Sequence, residues 1–260
     1  MVRKNNQRKL SKSESGRLGG LVRVEKGNIG TEEGRRKGGL HSLETHRTSK
    51  TGFKLLRPVR APKRSAAFAE LIGVMYGDGH VDKYQATITT NADTDSEHAQ
   101  YIQKLVHAVF KLTPSFSLRK DSKACTITIN SRNVCDYFER EGIPRGNKIA
   151  QGLSVPHWIN AQGVYKYAFT RGLFDSDGCV FQDVHLIRGK EYRNIGIAFA
   201  SKSRELLVHF TQVLTTLGLH PTQTTPHRVF LRRAKEVDTY FRVIGSSNAK
   251  HLGRYAQFRR

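Results

Sequence analysis

The sequence predicts an α+β fold in which a unit of roughly 95 residues, with the element order αββαββα, occurs twice in tandem. Two observations predict the duplication. A nine-residue pattern stands at residues 71–79 (LIGVMYGDG) and again at residues 170–178 (TRGLFDSDG), 99 positions later and without a gap. The turns after the long helices also match, with Leu-Thr-Pro at residues 112–114 and Leu-His-Pro at residues 219–221. We therefore expect two similar halves related by a pseudo-two-fold axis.

The first half is expected to begin at Ser65, a residue type that favours the N-cap of a helix, with an apolar helix over residues 66–75. Residues 97–110 carry apolar side chains at helical spacing, and short alternating segments on either side predict strands. After the first helix we expect a strand, a helix, two strands and a helix, at residues 85–90, 97–110, 115–118, 124–130 and 134–141.

The second half repeats this order. Its expected elements are a helix, two strands, a helix, two strands and a helix, at residues 165–174, 179–185, 193–200, 205–217, 222–225, 228–232 and 237–243. The predicted domain limits are therefore residues 65–162 for the first half and residues 163–260 for the second, with residues 1–64 outside both.

The N-terminal extension differs from the rest of the chain in composition. Residues 1–65 hold 18 Lys and Arg against five Glu, a net charge of +13, with many Gly and Ser and few aromatic residues. The motif R-x-G-G-L-x-x-x-E occurs in it at residues 17–25 and 36–44. Two interpretations are open for this flexible basic extension: a disordered tail, or an auxiliary DNA-binding module that becomes ordered on binding.

The charge of the whole chain indicates its partner. A formal net charge of +22 and a pI of about 10.2 attract polyanions, and nucleic acid is the obvious one. No apolar run approaches the roughly 20 residues that span a bilayer, so we expect no membrane partner. The three cysteines, an odd number without CxxC spacing, favour a reducing compartment over a zinc site or disulfides. No secretion signal is recognised, and we expect an intracellular protein of the cytoplasm, nucleoid or organelle matrix.

The repeated pattern carries the chemistry. Each copy is an apolar helical segment that ends in Asp-Gly, which puts Asp78 and Asp177 at the negative end of a helix macrodipole. Small residues four apart, Gly73 and Gly77 in one copy, let another backbone approach closely, and the natural partner is the equivalent helix of the other half. The two carboxylates would then lie side by side as ligands for Mg²⁺ or Mn²⁺, which suits two-metal hydrolysis of a phosphodiester.

A helix-packing seam followed by a simple turn is the alternative interpretation of one such pattern. Two copies in register, inside a chain this basic, favour the metal site. We expect no organic cofactor, and no other metal-binding motif is present.

The two copies of the pattern resemble the two signature motifs of single-chain LAGLIDADG homing endonucleases, and the resemblance covers about residues 65–260. The resemblance implies two saddle-shaped antiparallel sheets over the DNA major groove, paired central helices, and cleavage across the minor groove. By motif position, it places the catalytic acids on Asp78 and Asp177, and further metal contacts on the backbone carbonyls of Gly77 and Ser176.

Motif one has Tyr76 where motif two keeps an acid, Asp175, and motif two opens with Thr170 and Arg171 instead of the usual Leu-Ala. The family also tends to place a basic residue near the metals from late in each sheet. The candidates for that auxiliary role are Lys202, Arg232, Arg233, Lys123 and Arg132.

DNA contacts are expected from side chains on or beside the predicted strands, where Arg and Lys reach phosphates or guanine and amides suit adenine. The candidates are Lys83, Gln85, Arg119, Lys120, Arg132, Arg188, Lys190, Arg193, Lys202, Arg228 and Arg232. A solvated surface charge is the alternative for any one of them.

The predicted function is that of a monomeric, metal-dependent endonuclease that cuts both strands of a long, pseudo-palindromic DNA site. The alternatives are a catalytically silent DNA-binding regulator or an RNA-binding intron maturase of the same fold, with intron RNA as a further partner. A basic structural protein of the ribosome or nucleoid is a third alternative, which gives the duplicated Asp-Gly no role. The chain ends lack the residues of protein splicing, so we expect a free-standing or intron-encoded protein and a role in intron homing.

Overall fold

The structure is a computed structural model, and it describes residues 11–25, 30–48, 59–119 and 122–259. The chain divides into two compact units at residues 55 and 56. In the N-terminal unit the described residues form helices α1 (Lys12–Glu25) and α2 (Glu32–Thr48), each of which contains one copy of the R-x-G-G-L motif. The second unit holds the duplicated fold.

The first half begins with helix α3 (Ala66–Gly77), which Ser65 caps by accepting a hydrogen bond from the backbone N–H of Phe68, 3.2 Å away. The elements that follow are β1 (Gly79–Val81), β2 (Ala86–Asn91), α4 (Ser96–Phe110), β3 (Ser115–Leu118), β4 (Ala124–Ile129) and α5 (Arg132–Arg140). Two short helices, α6 (Lys148–Gln151) and α7 (His157–Ala161), lead to the second half.

The second half repeats the same order and ends with one further helix. Its elements are α8 (Gly163–Asp177), β5 (Gly178–Ile187), β6 (Lys190–Ala200), α9 (Arg204–Thr216), β7 (Thr222–Thr225), β8 (Arg228–Leu231), α10 (Ala234–Val243) and α11 (Ala249–Phe258). Among the described residues, no helix combines the length and apolar character that a membrane span needs.

The two sheets have the same topology. Sheet one has the strand order β1-β2-β4-β3 and sheet two the order β5-β6-β8-β7, with every neighbouring pair antiparallel. The predicted fold class, an α+β tandem duplication with two antiparallel sheets and paired central helices, is confirmed.

Strand register decides which side chains each sheet exposes, because successive residues of a strand point to opposite faces. In sheet one, Ile88 pairs with Ile127 on the buried face, whereas Thr87 and Thr89 pair with Thr128 and Thr126 on the other face. In sheet two, Val229 and Leu231 of β8 are buried, and Arg228 and Phe230 lie on the opposite face. We call the two faces opposite the core the open faces.

The core centres on the two helices that carry the repeated pattern. Every residue from Phe68 to Tyr76 of α3 is buried, which is typical of a helix surrounded by protein rather than one with a single apolar face. Helix α8 is buried in the same way over residues 168–170 and 172–175. The sequence pattern of both segments, apolar without a clear polar stripe, follows from this central position.

Several short elements were not predicted. The order αββαββα implies two strands between the first two helices, but only the one at residues 85–90 was located in the sequence. The structure adds β1, which was missed because it spans only three residues. Helices α6, α7 and α11 were also missed. The other predicted elements are present, with ends that differ by a few residues.

Candidate active site

The two central helices are in backbone contact through Gly73 and Gly172. A Cβ atom added to Gly73 would lie 2.3 Å from the carbonyl oxygen of Phe169 and 3.1 Å from the Cα atom of Gly172. A Cβ added to Gly172 would lie 2.3 Å from the carbonyl oxygen of Glu70. No side chain fits at either position without moving a backbone, so the close packing predicted from the spacing of small residues is confirmed.

The contact continues to the ends of the helices, where the repeated Asp residues lie. A Cβ added to Gly77 would lie 2.4 Å from the Cβ atom of Ser176 and 3.1 Å from Oδ2 of Asp177. Asp78 is the C-cap of α3, with its backbone N–H bonded to the carbonyl oxygen of Val74, and Asp177 is the last residue of α8. The packing of the two helices therefore brings the two carboxylates together.

Both carboxylates are held in an environment that disfavours negative charge. Burial, reinforced by the charge of Asp177, raises the pKa of Asp78 to about 7. Burial also raises the pKa of Asp177 to about 6, despite the nearby ammonium of Lys148. Asp78 is half-buried and Asp177 is more exposed, but the two acids lie beside each other at the negative ends of their helices, where positive charge stabilises them.

Lys148 of α6 supplies part of this positive charge. Its Nζ donates hydrogen bonds to the carbonyl oxygens of Gly79, at 2.7 Å, and Met75, at 3.0 Å, and to that of Gly77. Burial lowers its pKa to about 8, against the opposing effect of the two carboxylates. A cation thus sits against the Gly77 carbonyl, one of the two backbone groups that the resemblance assigns to metal contact.

Sequence reasoning missed Lys148 because it looked for basic residues late in the sheets. In the structure the nearby basic residues come from the segment after the third helix of each half: Lys148 follows Asn147, the N-cap of α6, and Lys250 follows Asn248, the N-cap of α11. The recurrence of Asn and Lys at similar places in both halves was a signal in the sequence that could have identified them.

The five basic candidates from the sequence lie in other surroundings. Lys123 pairs with Asp93, Arg233 pairs with Glu236, and Lys202 is exposed just after β6. Arg132 is the exposed first residue of α5, and Arg232 follows β8 on the open face of sheet two. The charged side chains that act on Asp78 are instead those of Asp177, Lys148, Asp95 and Lys250.

The open face of sheet two holds an organised arginine. Nη1 of Arg232 donates to Oδ2 of Asp183 at 3.0 Å, and its guanidinium lies 4.5 Å from the ring centre of Phe230 and 5.6 Å from that of Phe181. Stacking and pairing hold the guanidinium in place on a surface that is otherwise open.

The remaining DNA-contact candidates are spread around the sheets. Lys83 and Gln85 lie in the turn between β1 and β2, Arg119 follows β3, and Arg228 begins β8. Arg188 occupies the β5–β6 turn with a φ of 51°, and Lys190 and Arg193 belong to β6. Lys120 lies outside the described residues. The contacts of these residues with DNA stay predictions.

The departures from the motif have structural roles. Arg171 pairs with the buried Glu70 across the helix interface, with Nη2 2.5 Å from Oε2, and also donates to the carbonyl oxygen of Ile244. The hydroxyl of Tyr76 donates to the carbonyl oxygen of Ser154 at 2.7 Å. The carboxylate of Asp175 accepts from the backbone N–H of Ser247 at 2.7 Å. These groups fasten the central helices to loops.

Comparison with known proteins agrees with this geometry. Residues 165–255 match the family model described as a LAGLIDADG-like domain, so the resemblance predicted from the motifs is confirmed. The structure of I-SmaMI bound to an uncleaved DNA target in the presence of calcium ions is similar to this one with a TM-score of 0.52 at 11% identity, covering 75% of this chain and 90% of that one. At this identity, the likeness shows the fold.

The similar curated sequences are much longer. The chain is 22% identical over 220 residues to the tRNA-splicing ligase RtcB of Methanopyrus kandleri, which covers 76% of this chain and 21% of that protein. It is 26% identical over 204 residues to the tRNA-splicing ligase RtcB of Pyrococcus abyssi, with 72% and 21% covered. The chain thus spans about a fifth of the length of these relatives, and the similarity concerns one segment of each.

Proposed function

We propose that this chain is a site-specific, divalent-metal-dependent endonuclease of double-stranded DNA, of the homing endonuclease type. The observation that carries the proposal is the placement of Asp78 and Asp177 beside each other where two glycine-packed helices end. The match of residues 165–255 to the LAGLIDADG-like domain and the fold shared with a DNA-bound nuclease support it.

The residues present fit a divalent metal. Asp78 and Asp177 bring two negative charges against the positive charge of Lys148, since Lys250 is paired with Asp95. The Gly77 carbonyl already accepts a hydrogen bond from the Lys148 ammonium. Within the described part of the chain, no group of three or more His, Cys, Asp or Glu could hold a metal. Mg²⁺ commonly takes one or two carboxylates and completes its shell with water and substrate phosphates, which suits this site.

Asp78 and Asp177 would hold the metal, with the carbonyls of Gly77 and Ser176 beside it. When bound, a divalent metal lowers the pKa of a coordinated water and stabilises the departing oxygen of a phosphodiester. Lys148 contributes a fixed positive charge at the same place.

The duplicated fold suits a long target. Each sheet presents an open face, and the pseudo-two-fold axis between the halves relates the two faces as the halves of an imperfect palindrome are related. One helical turn of DNA for each half gives a site of about 20 base pairs. Because one chain supplies both carboxylates, we infer that the protein acts as a monomer.

A maturase that binds intron RNA is the second candidate, because the basic N-terminal unit suits RNA as well as DNA. That unit carries much of the excess positive charge and lies outside the duplicated fold. RNA binding there could coexist with DNA cleavage. A silent DNA-binding regulator would keep the open faces but would have no use for two neighbouring acids at the helix ends.

A plasmid library with a randomised insert tests the proposal. We expect the purified protein to linearise a small subset of plasmids in the presence of Mg²⁺ or Mn²⁺ and none in EDTA, and sequencing the cut ends gives the target. Capture of one DNA sequence without cutting would favour the regulator. Preferential capture of structured RNA, again without cutting, would favour the maturase.

A further inference from the structure

We propose that Asp95 of the first half is the positioning residue for Lys250 of the second half, and that this pair makes the two strand-cleaving centres unequal. The inference rests on the proposed nuclease function. It concerns which basic residue assists the cleavage of each DNA strand, which the motif residues alone do not determine.

Lys148 and Lys250 occupy corresponding places in the two halves. Each follows, within two residues, an Asn that caps a helix: Asn147 accepts from the N–H of Ala150, and Asn248 accepts from that of Lys250. Each of these segments begins with a glycine of positive φ after the third helix of its half, Gly142 at 83° and Gly245 at 74°. Because the two lysines occupy equivalent positions, they would be expected to have equivalent roles.

The two lysines nevertheless bind different partners. Lys148 donates to the three carbonyl oxygens at the end of α3, within its own half. Lys250 is paired with a carboxylate of the other half, with its Nζ 2.7 Å from Oδ1 of Asp95. The side chain of Asp95 is 5% exposed and that of Lys250 is 27% exposed, so water screens this pair little.

Asp95 occupies the N-cap of α4 without acting as a cap. An Asp at this position usually accepts a hydrogen bond from its own helix, but Asp95 makes no such bond. Its carboxylate accepts instead from Lys250, from Nδ2 of Asn248 at 2.8 Å and from the hydroxyl of Thr94 at 2.7 Å. The corresponding residue of the second half, Ser203, does cap its helix by accepting from the N–H of Leu206. Helix capping therefore does not explain the role of the Asp95 carboxylate.

The Asp95–Lys250 pair is tied to the end of the second central helix. Nδ2 of Asn248 donates both to Oδ1 of Asp95, at 2.8 Å, and to the carbonyl oxygen of Asp175, at 3.2 Å. Asp175 lies two residues before Asp177. Asp95 thus fixes a lysine beside the end of the second central helix.

The consequence is that the cleavage of the two DNA strands depends on different lysines. One scissile phosphate is served by Lys148, which is held by backbone carbonyls, and the other by Lys250, whose position depends on Asp95. Removing the Asp95 carboxylate should release Lys250 and slow one strand only. Removing Lys250 should slow the same strand, and removing Lys148 the other.

Strand-resolved cleavage of an end-labelled target tests this. We expect Asp95→Asn and Lys250→Met each to slow the same strand by about tenfold or more, with the other strand within about twofold, so that a nicked intermediate accumulates. The double variant should be no slower than Lys250→Met. Asp93→Asn, which removes an exposed ion pair two residues away, should change neither rate.

Equal slowing of both strands by Asp95→Asn, no slowing, or losses that add in the double variant would overturn the proposal. Acylation of lysines, followed by mass spectrometry, gives a readout that does not depend on cleavage. Lys250 should be labelled faster in Asp95→Asn than in the wild type, whereas Lys148 should be unchanged. If the wild type cuts no DNA, the proposed function fails, and the labelling still tests the contact.

Discussion

The ammonium of Lys148 lies 2.7 Å from the carbonyl oxygen of Gly79, so a side-chain cation occupies the end of the first central helix. It is the immediate counter-charge for Asp78 and Asp177, two neighbouring acids whose pKa values are raised to about 7 and about 6. The site is therefore short of positive charge as it stands, and its stability should depend on pH and on divalent metal.

Asp78→Asn should stabilise the fold at pH 8 and have little effect at pH 4. A carboxyl with a raised pKa binds a proton more tightly in the folded state, so its contribution to stability is lost as pH rises from about 4 to about 7. We expect the variant to gain about 1 kcal/mol or more over the wild type at pH 8, measured by urea unfolding in EDTA. Asp93→Asn is the surface control, and an equal gain of Asp78→Asn at both pH values would contradict the assignment.

Mg²⁺ or Mn²⁺ should raise the unfolding temperature of the wild type at pH 8 and leave that of the Asp78→Asn/Asp177→Asn double variant unchanged. A ligand that binds only the folded state at ten times its dissociation constant adds about 1.4 kcal/mol. The measurement is a thermal scan with and without the metal, and K⁺ at equal ionic strength is the control. A similar shift in both proteins would place the metal elsewhere.

Gly73→Ala and Gly172→Ala should each destabilise the protein by about 1–3 kcal/mol or prevent folding, because the added methyl group meets the backbone of the facing helix. Gly253→Ala is the matched control, since Gly253 lies in α11 with nothing within 4 Å of its Cβ position. That variant should gain about 0.5–1 kcal/mol from helix propensity. Equal effects at Gly73 and Gly253 would refute the tight helix contact.

Arg232→Ala should lose about 1–3 kcal/mol of DNA-binding free energy and relax specificity at one base-pair position. The reason is that the guanidinium is already oriented by Asp183 and two Phe rings. Lys202→Ala should weaken binding to all sequences alike, as loss of a phosphate contact does. Measuring the affinity of each variant protein for a set of DNA targets with single base changes distinguishes a loss of specificity from uniform weakening. Uniform weakening by Arg232→Ala would show that this residue contacts phosphate only.

Deletion of residues 1–60 should lower DNA affinity and flatten its dependence on salt, because much of the basic charge is removed, while the cut position stays the same. Affinity titrations at several salt concentrations and mapping of the cut ends measure both effects. A shifted cut site, or unchanged affinity, would contradict an accessory binding role for this unit.

The sequence was sufficient for much of this architecture because the duplication doubled each signal. The pairing of Gly73 with Gly172 and the placement of Asp78 and Asp177 follow from two copies of one nine-residue pattern, where one copy would have been ambiguous. Most strands and long helices were predicted within a few residues of their bounds, whereas β1 was too short to detect and helices α6, α7 and α11 were missed.

The basic part of the site could not be predicted in the same way. Lys148 and Lys250 belong to short segments after the third helix of each half, and Lys148 binds carbonyl oxygens of the first motif from about 70 residues away. No periodicity marks such a position, and the preference for basic residues in the sheets directed attention to Arg232 and Lys123. The interaction between Asp95 and Lys250 joins the two halves across 155 positions and is visible only in three dimensions.

The most direct test of the account is cleavage of the selected DNA target with Mg²⁺ or Mn²⁺ by the wild type, Asp78→Asn and Asp177→Asn, with Asp93→Asn as a control. We expect the wild type and the control to make a double-strand break, and both central variants to bind the target as tightly as the wild type without breaking it. Undiminished cutting by either central variant, or a wild type that binds one sequence tightly and never cuts it, would contradict the shared two-carboxylate site.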